Sequence, residues 1–419
     1  MRARLTVAAI EALLDRAVTM HDNEVRRLGQ EDDGPADADF EELYSRDTLG
    51  RLLSRLRRQR CRRSSILAGF MLDNIVDREV FAGQADESIS DGVAALPGLR
   101  QAKNQLAAEL GYPDYFSLYL ATREYEWVGV ERVAQRCLAT TEAEYGALFD
   151  ELIGARVIDR GEFDDRYKRV LHANIDNYPF DALLPTLADL LHVAFDGRYD
   201  GQIELRSVPE EIVTFAYTVL AERRSVVTTA QIGGYEQFKA GCHGLGHSLF
   251  GLLGPVPAWA ALPSDIGLTE ALAFSFQLLP ALPWFCRRVG VEPRAELPRW
   301  ARLAECYFER MYAVQVFWER DYYRTESDTG AQAAEFVDQR REQLRVVEDT
   351  DGAARPDYRP LCVEFLHGFA VRHELIRRAG WTREDSWRSG KVGRLLEERF
   401  GRANLATATE VVDSLAVTT

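Results

Sequence analysis

The sequence predicts an all-helical protein, and three observations carry that reading. Apolar residues recur at three- and four-residue spacing through most of the chain, the signature of helices with one buried face. Alternation with a period of two is confined to two short stretches. Glycine and proline cluster between the periodic segments rather than inside them. With 419 residues, 46% of them hydrophobic, the chain is long enough for one large core. The expectation is a single domain over 1–419, two lobes around a cleft: an N-terminal lobe over about 1–130, then a metal-binding core and C-terminal helices over 131–419.

Taken in order, the helical pattern covers 3–20, 40–77, 98–122, 130–155, 181–195 and 209–223. It resumes over 235–253, 268–280, 297–325, 331–348, 360–379 and 390–400. The first segment is interrupted by Glu11, Asp15 and Arg16, so it reads as an amphipathic helix and not as a signal peptide. Gly29 to Phe40 is acidic, with Gly and Pro, and reads as a surface loop; Thr350 to Pro360 reads as a second irregular link. Ile203–Val208 and Ser225–Ala230 alternate and can form one short β pair. Gly254-Pro255-Val256-Pro257 and Leu262-Pro263-Ser264-Asp265 bound a loop between the helices at 235–253 and 268–280.

Charge and cysteine usage exclude several classes. Lys and Arg total 51 against 66 Asp and Glu, a net charge of −15, so nucleic acid is not an expected partner. The basic run Arg51 to Arg63 reads as the solvated face of a helix. No run of 18 residues is apolar and free of charges or breakers, so no membrane span is expected. The six cysteines are scattered without a CxxC pair, as expected of reduced thiols in a cytoplasmic protein.

The chemistry concentrates in Cys242-His243-Gly244-Leu245-Gly246-His247 and in Thr269-Glu270-Ala271-Leu272. Residues four apart share one helix face, so His243 and His247 can converge on one cation. Glu270 sits in an apolar helix, where an unpartnered carboxylate is costly, and a metal would satisfy it. Two histidines and a carboxylate suit Zn²⁺ with an open position; Fe²⁺ in a facial triad of a non-haem oxygenase is the alternative.

Here the chain resembles the helical gluzincin metallopeptidases, the angiotensin-converting-enzyme and oligopeptidase group. The resemblance is carried by the metal motif, by Lys103 to Leu118 within Gly98 to Leu120, and by Phe369 to Gly380 with Ser389 to Leu396. It implies a prolate, two-lobed helical fold with a central channel, Zn²⁺ held by His243, His247 and Glu270, and peptide-like substrates. That family reads H-E-x-x-H, with the glutamate as general base; this chain has Gly244 there. The functional expectation is a zinc-dependent enzyme acting on a small peptide or amino-acid-derived substrate by non-standard, non-hydrolytic chemistry. A catalytically inactive pseudopeptidase that binds a partner is the competing expectation.

The candidates to replace the missing base are Tyr358, His367, His373 and Glu364, with Arg359 as an anion clamp. His373 with Glu374 also reads as a structural pair on a helix, and Cys362 as a buried small hydrophobe. Gly244 reads as room above the metal, a pocket residue. The aromatic segment Cys306 to Arg324 reads as core, with Tyr322 and Tyr323 at its end as substrate contacts.

Overall fold

The computed structural model describes residues 5–28, 37–59, 61–81, 99–209, 215–253, 257–262, 266–325, 330–348 and 359–403. Helices dominate. The chain begins with α1 (Val7–Leu28), α2 (Arg46–Leu56), α3 (Arg62–Phe81), α4 (Leu99–Glu109), α5 (Tyr115–Thr122) and α6 (Trp127–Leu152). After them come α7 (Arg160–His172), α8 (Phe180–Phe195), α9 (Tyr235–Leu252), α10 (Gly267–Phe276), α11 (Pro283–Val289) and α12 (Glu296–Arg324). The chain then forms α13 (Gly330–Leu344), α14 (Cys362–Ala379), α15 (Glu384–Arg388) and α16 (Lys391–Ala403). Position 130 falls in the first turn of α6. No helix among the described residues is long and apolar enough to cross a membrane.

The strands depart from the sequence expectation in two respects. In addition to a two-residue parallel pair, β1 (Ile158–Asp159) with β5 (Val346–Val347), there is a sheet of β2 (Ile203–Val208), β3 (Phe215–Val219) and β4 (Arg224–Ala230), in the order β2-β4-β3. The expected pair forms, parallel, with Ile203 opposite Ser225. The helix expected over 209–223 does not: Phe215–Val219 pairs antiparallel with β4, Phe215 opposite Thr228. Aromatic and β-branched residues there favour a pleated, half-buried surface, and alternation decides the faces. Phe215, Tyr217, Val219 and Val226 pack with Val25 of α1, whereas Ala216, Thr218 and Val227 face glycines of α9. The sheet is therefore a layer between α1 and α9. The Asp22 carboxylate of α1 pins the β3–β4 turn by accepting from the backbone N–H of Leu220 at 2.7 Å and of Ala221 at 2.9 Å.

Beneath α9 lies α10, and beneath that α14. Nine residues of α10 are buried, so it packs on all sides. Glycine makes that possible. A Cβ on Gly246 of α9 would lie 2.6 Å from the backbone N and Cα of Ala273. On the other side, a Cβ on Gly368 of α14 would lie 3.1 Å from Glu270 Cβ and from the carbonyl of Gly267. Gly244, two residues earlier on α9 and facing the sheet instead, is less confined: its Cβ would meet Val227 Cγ1 at 3.3 Å and Ala216 Cβ at 3.4 Å.

The other expectations sort plainly. Arg51 pairs with Asp47, Arg63 with Glu11, and Arg57 donates to the carbonyls of Leu110 and Gly111, so the basic run decorates helix ends and faces. All six cysteines are free thiols, and Cys362 is buried in the core. The helix α7 is too polar for its one buried phenylalanine, Phe163, to announce it.

Two glycines of one helix should respond oppositely to alanine. Both substitutions recover roughly 1 kcal/mol of helix propensity. Gly246→Ala forces α10 away from α9 and is expected to lower stability by about 2–3 kcal/mol net. Gly244→Ala is expected to stay within about 1 kcal/mol of the parent in chemical denaturation. Equal stability of the two variants would contradict the close helix contact.

Candidate metal centre

The contact of α9 with α10 brings three sequence-predicted side chains together. His243 and His247 point from successive turns of α9, their Nε2 atoms 3.0 Å apart. Glu270, in the first turn of α10, places Oε2 3.8 Å from His243 Nε2 and Oε1 3.6 Å from His247 Nε2. One donor atom from each lies within 4.8 Å of the others. Donors bound to one tetrahedral Zn²⁺ lie about 3.4 Å apart, given bonds of roughly 2.0–2.1 Å. The observed spacings bracket that value, so the donor set fits a divalent cation.

The environment suits the same purpose. The imidazoles keep 30% and 28% of their side-chain surface open, while Glu270 keeps 11%, so the carboxylate forms the floor and the rings form the accessible wall. Burial pushes His247 down to about 3, with His243 acting in the same direction. Burial also lowers His243, against the bond to Gln277. Both rings are thus held neutral, as ligands must be. Burial, and then the nearby Glu364 charge, push the Glu270 carboxyl up to about 8. A buried acid that resists ionisation is one that a cation would stabilise.

Both rings are oriented through their other nitrogen. His243 Nδ1 lies 2.9 Å from Gln277 Oε1 at the end of α10, and His247 Nδ1 lies 2.8 Å from Thr269 Oγ1. Such partners fix ring orientation and raise ligand basicity. Gln277 in turn donates to Glu305 of α12. None of these was singled out in the sequence. The available signals were weak: Thr269 adjoins the ligand, and Gln277 lies two helical turns beyond it on the same face.

The N-terminus of α10 is anchored by a carboxylate assigned elsewhere by sequence. Glu364 of α14 accepts the backbone N–H of Ile266 at 2.6 Å through Oε2. Its Oε1 accepts from Arg123 Nε and from the Tyr119 hydroxyl, each at 2.5 Å. Arg123 continues to both oxygens of Asp73 at 2.8 Å. This buried chain joins α3 and α5 to the helix that carries Glu270.

Arg359, His367, His373, Tyr322 and Tyr323 are each engaged by other residues. Arg359 is engaged by Asp77 at 2.5 Å and Asp73 at 3.2 Å, so the expected anion clamp is closed on the protein's own carboxylates. His367 is fully buried: its Nδ1–H donates to the Val363 carbonyl at 2.7 Å, and its ring lies 4.5 Å from that of Tyr125. His373 does not pair with Glu374; its Nε2 contacts Glu309 of α12 at 2.8 Å, and Glu374 takes Arg377 instead. Tyr323 is buried on Tyr115, with ring centroids 5.2 Å apart, and its carbonyl accepts from Asn104. Tyr322 packs under Arg100. These two tyrosines tie α12 to α4 and α5; Tyr323 is buried in that contact and Tyr322 is half-buried. Gly244 is buried with its open side toward Ala216 and Val227, so its missing side chain is matched by the sheet. Tyr358 lies outside the described residues.

No family model matches the sequence, and no curated protein matches it. Solved structures do. An M32 carboxypeptidase from Deinococcus radiodurans R1 superposes with a TM-score of 0.61 at 12% identity, over 98% of this chain and 95% of that one. Metallocarboxypeptidase 1 of Trypanosoma cruzi gives a TM-score of 0.57 at 14% identity, over 98% and 96%. The shared property at that identity is the fold: the chain has the helical architecture of these metallopeptidases over nearly its whole length. Both are carboxypeptidases, so the finer assignment to the angiotensin-converting-enzyme group rests on the sequence resemblance alone.

Removing the anchor should be costly. Glu364→Ala leaves Arg123 buried beside a single carboxylate and frees the first N–H of α10. The expected loss is about 3–5 kcal/mol in thermal or chemical unfolding. A loss below about 1 kcal/mol would mean that water substitutes for the carboxylate.

Proposed function

We propose that this protein is a metal-dependent enzyme of metallopeptidase fold that acts on a small peptide or amino-acid-derived molecule without the usual glutamate base. The observation that carries this reading is the convergence of His243, His247 and Glu270, with both imidazoles oriented by a second polar group. Zn²⁺ is the metal that this donor set favours, with Fe²⁺ second. When bound, it would supply Lewis acidity toward a carbonyl or a water molecule.

The chain's own residues define what is unusual. His243 and His247 offer neutral imidazole nitrogens, and Glu270 offers an oxygen from a buried wall. Gly244 offers no proton acceptor at the place where a zinc peptidase carries one. A longer side chain there would first meet Val227 and Ala216. Hydrolysis needs a group to take the proton of the attacking water. Elimination, cyclisation or rearrangement of an acyl-activated substrate does not need it at that position. The reaction classes favoured are therefore those that use carbonyl polarisation without water activation by a neighbouring carboxylate.

Elemental analysis of the purified protein should find about one equivalent of zinc or iron. His243→Ala and Glu270→Ala should each abolish it while leaving the helical circular dichroism intact. A metal-free parent that also fails to take up Zn²⁺ on reconstitution would overturn the proposal. Incubation of the loaded protein with mixed short peptides and amino-acid derivatives should give chelator-sensitive products that differ from substrate by something other than one added water. Chelator-sensitive release of C-terminal amino acids would instead establish ordinary carboxypeptidase chemistry.

A further inference from the structure

The side chains behind His243 form a directional chain. Gln277 Oε1 faces His243 Nδ1 at 2.9 Å, and Gln277 Nε2 faces both oxygens of Glu305, at 2.9 and 3.1 Å. Glu305 is 4% exposed, and its Oε2 accepts from Arg372 Nη1 at 2.5 Å. Arg372 is itself fully buried, and Lys239 Nζ stands 4.0 Å from the other Glu305 oxygen. The Glu305 carboxylate, with Arg372 and Lys239 on two sides, only accepts hydrogen bonds.

The orientation of every other group follows. An amide whose neighbour is an acceptor-only carboxylate must turn its NH₂ toward it. The Gln277 carbonyl is then left for His243. A carbonyl accepts, so the proton of the neutral imidazole must sit on Nδ1. The lone pair is thereby confined to Nε2, the atom that faces His247 and Glu270. The opposite tautomer would set a bare nitrogen against a bare carbonyl oxygen and put a proton where a metal should bind. We infer that Glu305 is a positioning residue for the metal centre: acting through Gln277, it selects the metal-binding tautomer of His243. This inference rests on the metal reading of His243, His247 and Glu270, and identifies α12 as a third helix on which that centre depends.

The relay also explains an otherwise expensive arrangement. A carboxylate, a guanidinium and an amide are buried together in an interior where each would be destabilising alone. Glu305 joins Arg372 to Gln277, and the Gln277 carbonyl is aimed at the imidazole.

Two measurements separate this inference from the metal reading. In the metal-free protein, ¹⁵N-labelled histidine NMR should show His243 as the Nδ1–H tautomer. Gln277→Ala and Glu305→Gln should each give a mixed or Nε2–H population. In competition with a chromogenic chelator, both variants should bind Zn²⁺ about 10–100-fold more weakly than the parent. The exchanged pair Gln277→Glu with Glu305→Gln restores an acceptor facing His243 and a donor behind it. It should recover the tautomer and affinity to within a few-fold, an outcome that a merely structural role does not produce. An unchanged tautomer and unchanged affinity in Gln277→Ala would overturn the inference. So would failure of the exchanged pair to recover either. A parent that binds no Zn²⁺ would overturn the metal reading, and the tautomer measurements would still decide whether the relay operates. Gln277→Ala leaves the Glu305–Arg372 pair in place, so it remains informative if Glu305→Gln fails to fold.

Discussion

The structure depends on the approach of α10 to α9 at Gly246. A helix packed this closely brings backbone against backbone, and no side chain larger than hydrogen fits between. Because Ala273 is drawn in there, Glu270, one turn earlier on the same helix, arrives opposite His243 and His247. On its far side α10 is pressed by Gly368 of α14, and its first N–H is taken by Glu364. The carboxylate is thus held from two faces and one end, by helices that come from distant parts of the chain. The polar groups around it follow from the same contact: Thr269 and Gln277 lie at either end of α10 and reach the two imidazoles.

Much of this was legible in the sequence, for physical reasons. Helix periodicity marked α9, α10, α12 and α14, because each buries a continuous face. The His243–His247 spacing and a carboxylate in an apolar helix named the three donors, since both patterns are costly without a shared partner. What could not be read was anything that depends on direction across the chain. Phe215–Val219 looked helical because its apolar residues also fit a longer period, and only pairing with β4 fixes it as a strand. His367, Arg359 and Tyr323 look like site residues until their partners are seen: Val363, Asp73 with Asp77, and Tyr115. Glu305 was not singled out in the sequence, because its link to His243 runs through a glutamine on another element.

Gly244 takes a different meaning in three dimensions. In sequence it is the site of a lost base. In the fold it is a point where α9 faces the sheet, with Ala216 and Val227 filling the adjoining space. The absence of a carboxylate is thus accompanied by a local packing that accommodates the absence.

The central claim is that His243, His247 and Glu270 are the ligands of one metal ion. X-ray absorption spectroscopy of the zinc-loaded protein tests it most directly. The expected first shell is nitrogen and oxygen at about 2.0–2.1 Å, with the multiple-scattering pattern of two imidazoles. Loss of one imidazole contribution is expected in His247→Ala. A first shell containing sulfur, or one without imidazole scattering, would contradict it.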